Sequence, residues 1–113
     1  MIYMVDIDQT VCLTPKINDV HRYDMSIPFY HRIEEINKLY DQGHTIIYWT
    51  ARGSGSGIDW TELTNQQLND WGCKFHEVRL GKPSYDIWID DKAFNDKEYF
   101  FLADREFIGD IDE

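Results

Sequence analysis

MIYMVDIDQT, residues 1–10, runs from a compact apolar stretch straight into two carboxylates one residue apart. The apolar part, residues 1–6, has the length and composition of a buried strand. Asp6 and Asp8 fall where that strand ends. Residues i and i+2 of an extended chain point the same way. Once the chain turns beyond the strand, that alternation breaks. Asp6 then faces a reacting centre directly, and Asp8 reaches it from the side.

The chain continues as alternating helix and strand patterns. Residues 27–42 (IPFYHRIEEINKLYDQ) place Phe29, Ile33, Ile36 and Tyr40 at helical spacing, with Pro28 in the first turn and Gly43 as a left-handed cap. Residues 44–49 (HTIIYW) are β-branched and aromatic and predict a second strand. After the loop RGSGSG (52–57), DWTE at 59–62 has the form of a capping box. The helix it opens carries Trp60, Leu63, Leu68 and Trp71 on one face and stops at Gly72. Residues 75–80 (FHEVRL) predict a third strand, and 85–89 (YDIWI) a fourth that runs into Asp90-Asp91. A short helix around 95–101 and an edge strand near Phe107-Ile108 complete the reading. Such alternation implies parallel pairing through right-handed crossovers. The expectation is one α/β domain over residues 1–113: a doubly wound, mostly parallel, Rossmann-like sheet in three α/β/α layers.

With 21 acidic against 11 basic residues, the net charge is −10, and nucleic acid is not an expected partner. No apolar run of about 18 residues is present, so no membrane span is expected. Two cysteines, Cys12 and Cys73, do not make a disulfide framework, and the expected compartment is the cytoplasm.

In open α/β sheets, ligands bind at the carboxyl ends of strands. Asp6 and Asp8, the Thr50-Ala51-Arg52 segment and Asp90-Asp91 all fall at such ends, so they are expected to share one rim. Two like charges about 4 Å apart repel by roughly 4 kcal/mol at an effective dielectric of 20. Clustered carboxylates therefore call for a counter-ion, and Mg²⁺ suits oxygen ligands where phosphate is also bound. One carboxylate can attack while its neighbour handles protons. The Thr50 hydroxyl, the Ala51 N–H and the Lys82 ammonium could hold the oxygens of a transferring phosphoryl group.

DIDQT (6–10), TAR (50–52), Lys82 in GKP and DD in WIDDKA (88–93) resemble the four motifs of the haloacid dehalogenase superfamily, in their expected order. The chain is most similar to small cap-less phosphatases associated with capsule or sugar-phosphate metabolism. The resemblance implies a Mg²⁺-dependent hydrolase of a small phosphorylated substrate, acting through an aspartyl-phosphate. Asp6 would be the nucleophile, and Asp8 would protonate the leaving oxygen and then activate water; Thr50 and Lys82 would bind the phosphoryl group, and Lys82 would also offset the charge of Asp6. The metal would bind the Asp6 carboxylate, the Asp8 carbonyl and Asp90, with Asp91 supporting its waters or orienting Lys82. Where the superfamily often has glycine, this chain has Gln9, which restricts the loop or reaches the substrate. Arg52 holds substrate or solvates its loop.

Each element also has a plainer reading. Asp90-Asp91 could form a turn, Thr50 could be a strand former, and Lys82 a surface lysine. Trp60, Trp71 and Trp88 read as core. The loops at 11–27 and 52–58 are candidates for shaping specificity, the second made mobile by its glycines. Tyr99-Phe100-Phe101 closes the core or forms a homo-oligomer interface. The competing functions are a receiver-like module and a catalytically silent Mg²⁺- or phosphate-binding module.

Overall fold

The computed structural model describes residues 1–112, with side-chain surroundings through residue 108. The first apolar run forms β1 (Ile2–Val5). The connection beyond it, expected as a loop or a small flap, folds into two short antiparallel ladders. β2 (Cys12–Leu13), β3 (Lys16–Ile17), β4 (Val20–His21) and β5 (Ile27–Pro28) pair as β2 with β5 and β3 with β4. One turn of 3₁₀ helix, Tyr23–Met25, lies between β4 and β5.

The helix expected over 27–42 is α1 (Tyr30–Asp41). It starts later because Pro28 sits opposite Cys12 in the β2–β5 ladder instead of in a first helical turn. A strand edge suits proline, which has no N–H to donate. The far end matches expectation: Gly43 takes φ +93°, its N–H bonding the Tyr40 carbonyl at 3.0 Å.

β6 (Thr45–Trp49), α2 (Thr61–Asp70) and β7 (Glu77–Arg79) follow. The capping box is displaced by one position. Asp59 Oδ1 accepts the Thr61 N–H at 2.9 Å and the Thr61 hydroxyl at 2.6 Å, while Trp60 occupies the cap position. The main sheet is parallel throughout, in the order β1-β6-β7, and the antiparallel ladders make the strand set as a whole mixed.

That order explains the layers. Both crossovers step the same way across the sheet, so right-handed connections bring both helices to one face. Val5, Ile46 and Tyr48 face Ile33 and Ile36 of α1, Leu68 of α2 and Phe100 in a single core, with Tyr3 and Val78 packed against it. On the opposite face Ile2 and Met4 are exposed, while Ile47 of β6 is buried. The core cluster that holds residues of α1 and α2 lies on one face, and the expected third layer of helices is not formed among the described residues.

The expected fourth strand is absent. Residues 80–95 form no ladder, and Ile87 and Ile89 are 79% and 94% exposed. An apolar, β-branched run becomes a strand only when it meets a sheet edge. Here Trp88 instead stands edge-on against Trp49, ring centroids 6.0 Å apart. Without that strand beside β1 the order never reverses, and the doubly wound arrangement is not formed among the described residues.

The C-terminal region is helical: α3 (Asp96–Tyr99) and α4 (Phe101–Asp112). The edge strand expected at Phe107-Ile108 is part of α4. Asp104 and Phe107, one turn apart, both reach His31 of α1, a spacing that a strand cannot provide. Phe100 is buried, whereas Phe101 is exposed. No helix among the described residues is long and apolar enough to cross a membrane.

Candidate functional site

The carboxyl ends of β1 and β6 lie side by side because Val5 pairs with Tyr48. This register brings Asp6 and Asp8 beside the Thr50-Ala51-Arg52 segment. β7 adds the third piece: Thr50 N–H bonds the Arg79 carbonyl at 2.9 Å, and Lys82 N–H returns to the Thr50 carbonyl at 3.1 Å. Lys82 is thereby held at the same rim.

Asp6 is the focus of one cluster. Lys82 Nζ stands 3.5 Å from Asp6 Oδ1, and Thr10 Oγ1 donates to Asp6 Oδ2 at 3.1 Å. The Asp6 side chain remains 39% exposed, so a ligand can reach it. Burial pushes its carboxyl above the ordinary value, and the Lys82 charge and the Ile7 and Thr10 hydrogen bonds draw it part of the way back. Lys82 itself is nearly covered, its ammonium lying 5.4 Å from the Tyr85 ring centre and 5.9 Å from that of Trp88. Trp88, expected in the core, is 42% exposed and lines this rim.

Asp8 belongs to a second cluster. Arg52 grips its carboxylate with two prongs, Nε at 3.0 Å and Nη2 at 2.8 Å, and Thr14 Oγ1 adds a hydrogen bond. Arg52 is 2% exposed. Its Nη1 donates to Thr64 Oγ1 at 3.2 Å and Gln67 Oε1 at 2.7 Å, and Nη2 also reaches Ser26 Oγ at 3.4 Å. The Tyr23 ring covers the guanidinium at 4.8 Å. Arg52 is thus held by buried side chains against Asp8 and does not solvate its loop. Each of the paired aspartates thus has its own protein cation, and their mutual repulsion does not by itself require a metal.

Gln9 is exposed and bonds back onto its own loop. Its Nε2 donates to the Thr14 carbonyl at 2.9 Å, and its Oε1 accepts the Thr14 N–H at 3.4 Å. Its φ of +62° is the left-handed conformation that favours glycine. The side chain offsets part of the backbone cost by closing the 9–14 loop.

Thr50 is buried, with its hydroxyl accepting the Arg52 N–H at 3.1 Å, and Ala51 beside it is half-buried. Asp90 and Asp91 lie on the exposed irregular segment. Asp90 accepts the Lys92 N–H at 2.9 Å and the Trp88 indole N–H at 3.4 Å, and these bonds hold its carboxyl below the ordinary value. No hydrogen bond or ion pair joins Asp90 or Asp91 to Asp6, Asp8 or Lys82 among the described residues. Nor do three His, Cys, Asp or Glu side chains there gather as a cation site. The oxygen donors at Asp6 still fit a magnesium ion, which takes one or two carboxylates and keeps several waters.

The sequence reading missed Thr10, Thr14, Ser26, Thr64 and Gln67. Thr10 had a local signal, a hydroxyl four residues after Asp6. The others reach the site from separate elements and leave no pattern in the chain. The loop 52–57 is likewise less free than its glycines imply. A Cβ on Gly53 would lie 2.1 Å from the Ile58 carbonyl oxygen, so that glycine serves close approach, at φ +83°.

The fold is that of a small α/β protein built on a parallel three-stranded sheet. Comparison with family models and with curated proteins finds no match. Among solved structures, the crystal structure of an MCSG target from Vibrio cholerae is similar in fold. It superposes with a TM-score of 0.74 at 20% identity, covering 99% of this chain and 98% of that one.

Proposed function

We propose that this chain is a phosphomonoesterase of the haloacid dehalogenase type, without a cap domain, that hydrolyses a small phosphorylated metabolite such as a sugar phosphate through a phosphorylated Asp6. The observation that carries the reading is the Asp6 cluster: a reachable carboxylate 3.5 Å from the Lys82 ammonium at the end of a parallel strand. The parallel β1-β6-β7 order, with the acid-bearing strand flanking the Thr50 strand, supports the same plan.

In this mechanism one Asp6 oxygen attacks phosphorus and the ester oxygen leaves. Thr10 holds the other Asp6 oxygen and so fixes the direction of attack. Lys82 offsets negative charge on the phosphoryl oxygens, with the Ala51 N–H as a further donor on the segment that Thr50 anchors to β7. Asp8, oriented by Arg52, handles the proton of the leaving group and later that of the attacking water. A magnesium ion would be held by the Asp6 carboxylate and the Asp8 carbonyl, and Asp90 and Asp91 would join it only after a movement of their segment. When bound, it neutralises charge on the phosphoryl group.

The test is turnover of a panel of phosphate esters with Mg²⁺. Wild-type protein releases phosphate, and Asp6→Asn, which retains shape but not nucleophilicity, loses more than about 10³-fold in kcat. Wild-type protein inert across the panel, or an active Asp6→Asn variant, defeats the proposal.

A further inference from the structure

We infer that Arg32 is a positioning residue for the loop that carries Asp6, and that through it the site depends on docking of the C-terminal helix. Arg32 lies on α1, 8% exposed, outside every motif of the sequence. Its guanidinium is held on the far side by α3 and α4. Nε and Nη2 fork onto Asp104 at 3.0 and 2.7 Å, and Nη1 reaches Asp96 Oδ2 at 2.8 Å. The rings of Phe29 and Phe100 lie 5.5 and 4.8 Å from its central carbon. His31 Nε2 joins Asp104 at 2.7 Å and stacks on Phe107 at 4.3 Å, closing the cluster from α1.

An arginine that only pinned helices together would be complete with those two carboxylates. Arg32 instead turns Nη1 to the Thr10 carbonyl as well, at 3.0 Å. Thr10 is the residue whose hydroxyl holds Asp6 Oδ2. The N–H groups of Thr10 and Val11 both bond the Ile7 carbonyl, at 3.1 and 2.9 Å. Arg32 therefore fixes the outer side of a tight loop whose inner side orients Asp6. It links three elements that share no local sequence signal. The fork geometry matters: a lysine supplies the charge but cannot span both carboxylates and the carbonyl.

The inference rests on the proposed role of Asp6, so its test has two readouts. Arg32→Lys is compared with wild type and with Ile36→Ala, a buried change one turn along α1 that lowers stability while leaving every Arg32 hydrogen bond its partner. The first readout is kcat and KM for p-nitrophenyl phosphate with Mg²⁺, below the melting range of all three proteins. The second is hydrogen exchange at the Thr10 and Val11 amides relative to β6 amides.

Arg32→Lys is expected to lose about tenfold or more in kcat with KM nearly unchanged, since a misplaced reacting group costs rate more than binding. Thr10 and Val11 should lose protection selectively, because local opening is faster than global unfolding. Ile36→Ala should keep kcat and lower protection evenly. Equal kcat in the two variants, or an even loss of protection in Arg32→Lys, overturns the inference. A wild type inactive on all esters defeats the phosphatase reading, while the exchange pattern still decides the link. If Arg32→Lys does not fold, Asp104→Asn is read by the same criteria.

Discussion

Replacing Arg52 with methionine should expose how much of the fold rests on the Asp8 pair. The methionine fills much of the space of the arginine stem but offers nothing to Asp8, Thr64 or Gln67, which receive hydrogen bonds from Arg52 at 2.7 to 3.2 Å. Removing one member of a buried ion pair costs about 3–5 kcal/mol, because the remaining charge stays desolvated. The Asp8 side chain keeps 22% exposure, so water relieves part of that penalty. The expected loss is therefore about 3 kcal/mol, at the lower end of the range. For a domain of this size each kcal/mol moves the melting point by roughly 4 °C, which predicts a fall of about 12 °C. Thermal and urea unfolding measured by circular dichroism would read it. A double-mutant cycle with Asp8→Asn isolates the pair, and the double variant should lose much less than the sum of the single changes. A fall below about 4 °C, or simple additivity, would show that Arg52 and Asp8 do not depend on each other.

Other expectations follow from single features of the structure. Gly53→Ala must place a methyl against the Ile58 carbonyl at positive φ and should destabilise by more than about 1 kcal/mol. Gly55→Ala meets nothing within 4 Å and should be neutral or slightly stabilising; equal urea midpoints would refute the distinction. Burial pushes the Cys12 and Cys73 thiols up to about 11, so neither should react with a thiol reagent at pH 8 until the protein unfolds. The Arg32 hydrogen bonds hold the Asp104 carboxyl below its ordinary value, against the opposing effect of burial. A depressed carboxyl contributes stability above the unfolded value near 3.9, and that contribution is lost as pH falls through the folded value. Asp104→Asn should thus weaken the acid dependence of melting below about pH 4, and an unchanged profile would count against the pair.

The local elements were well marked in the chain. A strand at residues 1–6, a helix ending at Gly43 and a β-branched strand at 44–49 are written in short-range periodicity, and all three formed close to the expected bounds. Pro28 and the Asp59 cap were displaced by a residue or two, because tertiary hydrogen bonds compete with cap chemistry at element ends. YDIWI misled for a deeper reason. Its composition states that it can be a strand, but a strand also needs an edge, and the chain at 85–89 found Trp49 instead. Phe107-Ile108 erred the other way, since two apolar residues carry no period, and packing against His31 decided for helix.

The site divides along the same line. The order of DIDQT, TAR and GKP along alternating strands already pointed to one rim, since parallel crossovers set strand ends side by side. The sequence by itself therefore placed Asp6, Asp8, Thr50 and Lys82 toward one rim, whereas Asp90-Asp91, expected with them, make no bond to Asp6, Asp8 or Lys82 among the described residues. Lys82 stands beside Asp6 as the resemblance implied, but tertiary structure alone decided that Arg52 wraps Asp8 and that Arg32 stands behind Thr10. These pairs join residues 22 to 76 positions apart. Side-chain charge acts through space over a few ångström, and the chain records neighbours only along its length.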